Sequence, residues 1–206
     1  MNILVLGATG RVGSQIVSFA LHDRHHVTVL VRTPEKIKIN NGNLTIIQGN
    51  VLNKEDIVQA MQGIDVVISA LNTDSTSTLS ESMPLIIEAM ENEGTNRIIT
   101  VGTAGILQSR ITPAILRYQS TESKRKSTRA AEEHHKVYDL LKLSKLEWTI
   151  VCPTYLPNGE RLGKYRISKD FLPEGGTEIS VQDTAEFAYK QISTNEYKNS
   201  RVGIAY

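Results

Sequence analysis

Short runs of branched apolar residues alternate along this chain with longer stretches in which apolar positions recur every three or four residues. The runs cover residues 3–6, 26–31, 44–48, 64–69, 97–101 and 147–152. Each has the length of a buried strand and is too short for a helix. Between the first two, residues 15–21 carry Ile16, Val17, Phe19, Ala20 and Leu21 on a helical stripe. A second helix is predicted from Asn53, a good N-cap followed by acids, to a stop at Gly63. A third runs over 84–93 and is stopped by Gly94; a fourth covers 127–144 with Ser127 as cap. On the fourth, His134, Val137, Tyr138 and Leu141 share one face. A short strand at 165–168, a helix over 181–192 and a closing strand at 202–205 complete the pattern. Strand–helix alternation at this spacing predicts right-handed crossovers and a doubly wound parallel sheet, a Rossmann-like α/β fold in a single domain over residues 1–206.

The pattern fails in two places. Residues 72–82 are rich in Ser and Thr, which predicts a loop able to close over a ligand. Residues 107–129 lose the alternation and collect Arg110, Arg117, Lys124, Arg125, Lys126 and Arg129. This stretch predicts a solvated loop that can attract an anionic substrate, rather than a nucleic-acid surface. Residues 105–127 and 153–180 together are expected to form a small substrate-side region on the main domain.

Composition narrows the class. Of 206 residues, 40% are hydrophobic and 22% charged, ordinary for a soluble globular protein. A net charge of +1 exerts no global pull on nucleic acid or an anionic membrane. Cys152 is the single cysteine, so an intrachain disulfide is impossible. Trp148 and Cys152 are expected in the core. The first strand begins at residue 3, and no apolar run approaches membrane-spanning length, so a cytoplasmic protein without a signal peptide is expected. The expected partner is a small molecule, with no metal, and the chain a monomer or weak homodimer.

The chemistry concentrates where the first strand ends. Gly7, Gly10 and Gly13 follow it at intervals of three, with Thr9, Arg11 and Val12 between them, and the first helix comes next. A strand, a tight glycine turn and a helix start present free N–H groups and the positive end of a helix dipole to a phosphate. Gly7 permits the turn, Gly10 lets the backbone approach a pyrophosphate, and Gly13 lets the helix pack close to the sheet. At the end of the second strand stand Arg32, Thr33 and Lys36, with no Asp or Glu at 31–33. A carboxylate there would hold ribose hydroxyls and repel a 2′-phosphate, whereas Arg32 offers that phosphate a guanidinium. NADP(H) is therefore the expected cofactor. Ligands of open parallel sheets bind beyond the carboxyl ends of the strands. That rule adds Asn50 and Val51 near the adenine, Leu71, Asn72 and Thr73 near the nicotinamide ribose, Thr103 in the turn after the fifth strand, and Pro153, Thr154 and Tyr155 after the sixth.

The Gly-Ala-Thr-Gly-Arg-Val-Gly turn, the Leu-Val-Arg ending of the second strand and the Gly49-Asn-Val-Leu segment resemble the atypical short-chain dehydrogenase/reductase group with NmrA-like folds. Within it the chain is most similar to the biliverdin-IXβ reductase/flavin reductase branch, and the similarity runs essentially end to end. It includes Gln62-Gly-Ile-Asp-Val-Val-Ile and Leu146-Glu-Trp-Thr-Ile-Val-Cys-Pro. The resemblance implies an NADPH-dependent reductase with an open pocket for planar conjugated acceptors such as flavins or quinones. By position it makes Thr103, His134 and Tyr155 the candidate catalytic residues: Thr103 stands for a family serine, His134 for a histidine at the pocket edge, and Tyr155 replaces a second histidine. Arg32 and Lys36 match two basic residues around the 2′-phosphate, and Asn50 stands in for an aspartate. His134, with an ordinary imidazole pKa near operating pH, is the expected donor for an acceptor that needs a proton.

Other readings stay open. A non-catalytic NADP(H) sensor or regulator of the NmrA type would use the same phosphate turn. Tyr138 and Lys142 have the Tyr-x-x-x-Lys spacing of the wider short-chain dehydrogenase family, but lie late on their helix, which predicts a chance match. A sugar-nucleotide epimerase is disfavoured by the same misplacement and by the lack of room for a sizeable substrate domain.

Overall fold

The computed structural model describes residues 1–73, 75–123 and 126–206. Lys124 and Arg125 of the cationic stretch lie outside the described residues, as does position 74. The strands are β1 (Asn2–Leu6), β2 (His26–Val31), β3 (Leu44–Gln48), β4 (Val66–Ser69), β5 (Arg97–Val101), β6 (Glu147–Pro153), β7 (Arg166–Lys169) and β8 (Ser200–Ala205). The helices are α1 (Arg11–His22), α2 (Lys54–Met61), α3 (Thr78–Glu93), α4 (Arg129–Leu143) and α5 (Val181–Lys190). The strands form one sheet in the order β3-β2-β1-β4-β5-β6-β8-β7, parallel except for β7, which runs antiparallel to β8. This is the Rossmann-like doubly wound sheet that the alternation predicts. Strand order reverses between β1 and β4, so a crevice opens there at the carboxyl ends of the strands.

The continuous apolar runs have a physical cause: helices cover both faces of the sheet. On β1, Ile3 and Val5 pack with Ile16 and Val17 of α1 and Ala185 and Ala188 of α5. Leu4 and Leu6 point the other way and join Ile57 of α2, Ile86 of α3 and Leu141 of α4. Trp148 and Cys152 are buried as expected.

Several boundaries differ from the pattern, each for a local reason. Helix α1 starts directly after Gly10 because the glycine turn feeds straight into its first turn. Helix α3 begins at Thr78 and contains Pro84, since Leu79, Met83, Ile86 and Met90 carry one buried stripe through the proline. The predicted loop at 72–82 is shorter by that amount. Helix α4 is led by Thr128 rather than Ser127; the Thr128 hydroxyl donates to Glu132 at 2.6 Å. Its inward face includes Glu133, 5% exposed, which accepts from the Ser80 hydroxyl of α3 at 2.7 Å and from Lys136 at 2.7 Å. Residues 107–116 are packed rather than a solvated loop: Leu107 and Leu116 are buried, and Gln108 bridges to Leu116.

Candidate active site

Gly7 adopts φ +79°, which an L side chain rarely reaches, and a Cβ there would lie 2.5 Å from the Ala70 carbonyl oxygen at the end of β4. The turn closes with the Gly10 N–H donating to the Gly7 carbonyl at 2.9 Å. Gly10 is the N-cap of α1, with no side-chain cap and no acid in the first turn. The first N–H groups of a helix lack intrahelical acceptors, and here no side chain takes their place. That arrangement fits a pyrophosphate. Val12 and Gly13 are buried and Thr9 is exposed, so Val12 can offer a ligand its N–H but not its side chain.

Arg11 reaches across the crevice. Its Nη1 donates to the Leu156 carbonyl at 2.8 Å and to Asn158 Oδ1 at 3.0 Å. It therefore ties the glycine turn to the segment after β6, a role the sequence does not announce. That segment is anchored in turn by Asp183, fully buried at the start of α5, which accepts from the N–H groups of Leu162 and Gly163 at 3.0 and 2.9 Å. The Tyr206 hydroxyl donates to the same carboxylate at 2.6 Å. Burial alone would raise the Asp183 pKa, but the hydrogen bonds from Tyr206, Leu162, Gly163 and Ser180 outweigh it and hold the group below its ordinary value.

Beyond β2, Arg32, Thr33 and Lys36 are exposed around the short turn Pro34–Lys36, on the crevice side of the sheet. Beyond β3, Asn50 folds back on its own turn: its N–H donates to Asp56 at 2.7 Å and its Oδ1 accepts from the Leu52 N–H at 3.1 Å. Val51 is buried in the core. Leu71 and Thr73 are half-buried and Asn72 exposed after β4, with the Thr73 N–H donating to Asn72 Oδ1 at 2.8 Å. All these positions lie at the carboxyl edge of the parallel strands.

Beside them, at the carboxyl ends of β5 and β6, is a cavity of about 1040 Å³. Thr103, Pro153, Thr154 and Tyr155 line it. The Thr103 hydroxyl caps the turn Ala104–Ile106, accepting weakly from the Gly105 N–H at 3.4 Å. Thr154 Oγ1 is buried and has no hydrogen-bond partner among the described residues, so the wall carries a polar group waiting for one. Tyr155 is 58% exposed at the rim, and its carbonyl accepts from the Ile179 N–H at 3.0 Å. The glycine turn, the uncapped helix start and this orphaned hydroxyl together fit a dinucleotide lying along the crevice.

His134 is not among the residues lining this cavity. It is half-buried, and loss of hydration pulls its imidazole down to about 4 against a smaller opposing effect of Glu133. The ordinary pKa assumed from sequence is lost to burial; the ring is neutral at pH 7. Tyr138 and Lys142 are also elsewhere: Tyr138 meets Trp148 edge-on with ring centres 5.7 Å apart, at the amino-terminal end of β6.

The remaining wall falls mostly within the segments 105–127 and 153–180, but its individual contacts are not visible in the sequence pattern. Tyr118 lines the cavity and its hydroxyl lies 3.0 Å from His135 Nδ1. Arg110 stacks over Phe171 at 4.8 Å and donates to the Leu172 carbonyl at 3.0 Å, joining the 107–120 segment to 170–177. Glu122 pairs with Arg117 at 3.5 Å. Burial pushes its carboxyl up, but hydrogen bonds from Ser109, the Arg110 N–H and Arg117 prevail and keep it ionised at neutral pH. Hydrophobic periodicity could not reveal these residues, because long-range hydrogen bonds rather than a buried stripe hold them.

Among the described residues, no helix is long and apolar enough to cross a membrane. Known proteins agree with the geometry. The chain is 30% identical to a Bacteroides thetaiotaomicron protein assigned as an epimerase, whose structure aligns over 100% of this chain and 96% of that one with a TM-score of 0.86. A Streptococcus pneumoniae protein assigned as an NADH-flavin reductase is 25% identical, over 100% and 99% of the two chains, with a TM-score of 0.83. The uncharacterized Bacillus subtilis protein YwnB is 26% identical over 98% of this chain and 96% of its own length. Other relatives are longer: the photosystem II assembly factor Ycf39 of Cyanophora paradoxa, 31% identical over 91% of this chain, is matched over 57% of its length. A family model described as NAD(P)H-binding matches residues 7–195, from the first glycine of the turn to the far side of α5, and the chain belongs to that NAD(P)H-binding family.

Proposed function

We propose that the protein is an NADPH-dependent reductase that transfers hydride to a planar conjugated acceptor, a flavin or quinone, held against the nicotinamide in the cavity at the ends of β5 and β6. The observation that carries this reading is the character of that cavity. At about 1040 Å³ it lies at the top of the range for small-molecule sites, enough for a multi-ring acceptor beside a nicotinamide. Of the groups tuned by their surroundings, Glu122 is held ionised, Tyr118 is held protonated as a weak acid by burial, and His134 is neutral and outside the lining. Reduction of a flavin or quinone suits such a site, since the proton that follows the hydride can come from water.

Bound NADPH supplies the hydride. The residues of this chain position the partners. The N–H groups at the start of α1 hold the pyrophosphate, and Arg32 with Lys36 receives the 2′-phosphate, which favours NADP(H) over NAD(H). Asn50, Val51, Leu71, Asn72 and Thr73 border the nucleosides. Thr103 and Thr154 offer hydroxyls to the nicotinamide amide or to an acceptor carbonyl, and the Tyr155 ring flanks the acceptor at the rim. Segments 105–127 and 153–180 serve as the substrate-side region. Holding two rings in contact lowers the barrier chiefly through orientation.

The assignment of the Streptococcus pneumoniae relative as a flavin reductase supports the acceptor class. Epimerisation of the kind named for the Bacteroides relative is not favoured if it requires a Tyr/Lys acid–base pair, because Tyr138 and Lys142 face away from the cavity. The test is direct: incubate the protein with NADPH and FMN, riboflavin or a quinone, and follow the reduced-nicotinamide absorbance. Oxidation above the uncatalysed rate with at least one acceptor is expected. Tight NADPH binding with no acceleration for any of them would instead support a regulatory NADP(H)-binding protein.

A further inference from the structure

A second cavity, of about 440 Å³, lies on the α4 side of the sheet, bordered by Tyr138, Lys142, Lys145, Trp148, Asp170 and Arg201. Trp148 enters β6 at its amino-terminal end, whereas Pro153 closes the same strand at the first cavity. The two sites are therefore separated by about 16 Å of strand.

Arg201 is the centre of this second cavity. Its side chain is only 6% exposed, stacked over the Tyr138 ring at 4.5 Å. Two of its nitrogens are engaged: Nη1 donates to the Ile106 carbonyl at 2.6 Å and Nε to Asp170 at 3.3 Å. Nη2 has no acceptor among the described residues. Lys142 lies over the Tyr138 ring at 5.9 Å, and among the described residues neither it nor Lys145 has an ion pair; both are exposed. Three cations thus face one carboxylate, already occupied by Arg201. Such convergence is unfavourable by itself and is relieved by a bound anion.

We propose that this cavity binds a small phosphate-bearing anion. A carboxylate prefers the paired N–H groups of a guanidinium fork, and here Ile106 and Asp170 occupy both edges of the fork. What remains is the Nη2 amino group and the second Nη1 N–H, with neither edge of the fork wholly free, beside two exposed ammonium groups, so the donors are spread on separate sides. That set matches the tetrahedral, multiply charged phosphoryl group. Arg201 also links the cavity to the active-site turn, since Ile106 ends the turn that Thr103 caps.

The chain supplies its own reporter, because Trp148 is its single tryptophan and lines the cavity. Pyrophosphate is titrated into the full chain without nucleotide, at ionic strength held constant with sodium chloride, by tryptophan fluorescence and by calorimetry. Saturable binding is expected, weakened at least tenfold in Lys142→Glu/Lys145→Glu, whose exposed positions leave folding intact. A parallel titration with AMP separates a nucleotide, which binds more tightly than pyrophosphate, from a bare phosphate group, which does not; either order supports the site. Neither heat nor fluorescence change at millimolar pyrophosphate, or equal affinity in the double variant, overturns it. Pyrophosphate and AMP can also enter the glycine turn, but binding there is unchanged in Lys142→Glu/Lys145→Glu, so the double variant separates this site from the turn and the result stands apart from the reductase reading.

Discussion

A methyl group on Gly13 would sit 2.2 Å from the carbonyl oxygen of Gly7. The two atoms cannot share that space, and the obstacle is backbone rather than a side chain able to turn aside. Gly13→Ala is therefore expected to push α1 away from the phosphate turn, destabilising the fold by roughly 1–3 kcal/mol or more. It should also weaken NADPH beyond detection. Thermal melts and calorimetry check both; near-native stability with unchanged NADPH affinity would show that the helix need not lie against Gly7.

Arg32→Ala is expected to weaken NADPH about ten- to a hundredfold, the worth of a charge-assisted hydrogen bond or two, while changing NADH little. Lys36→Ala should act in the same direction and less strongly. Equal losses for the two nucleotides would contradict the 2′-phosphate assignment.

His134 carries a sign that can be read in stability. Its folded pKa of about 4 is below the ordinary value of its imidazole. Between the two values the unfolded chain binds a proton that the native protein does not, so stability falls as pH drops from about 6.5 towards 4. His134→Gln should lessen that loss and leave turnover at pH 7 within about twofold. A loss of turnover with intact NADPH affinity would return the imidazole to the mechanism.

Asp183 has the opposite chemistry and the same direction. Its depressed carboxyl pKa stabilises the fold fully above the ordinary value near 3.9 and loses that contribution as pH falls through the folded value. Asp183→Ala leaves the Leu162 and Gly163 N–H groups without their acceptor and frees the segment that Arg11 grips. A cost of about 2–4 kcal/mol at neutral pH is expected in denaturant unfolding. A cost below about 0.5 kcal/mol would show that the buried carboxylate is dispensable.

The parts that were legible in the sequence are those with a single physical demand. Residues 26–31 were readable as a strand to the residue because buried β2 demands branched apolar side chains; residues 44–48 were readable too, although β3 is an edge strand with largely exposed side chains. The glycine turn was legible because Gly7 and Gly13 have no room for a Cβ. Other features answer to competing demands. Pro84 looks like a helix start, yet the buried stripe of α3 runs through it. Glu133 is an acid on the buried face of α4, a placement that its contacts with Ser80 and Lys136 satisfy and no apolar pattern announces. Arg11 looks like a phosphate ligand, whereas its partners at 156 and 158 lie far away in sequence. The cavity wall from 107 to 123 depends on pairs such as Arg110 and Leu172, which no local pattern encodes.

The most direct test of the account is calorimetric titration of the folded chain with NADPH. One site per chain with micromolar affinity, abolished by Gly13→Ala and selectively weakened by Arg32→Ala, is the predicted result. No heat from either NADPH or NADH at millimolar concentration would contradict it, for the turn between Gly7 and Gly13 would then hold no dinucleotide.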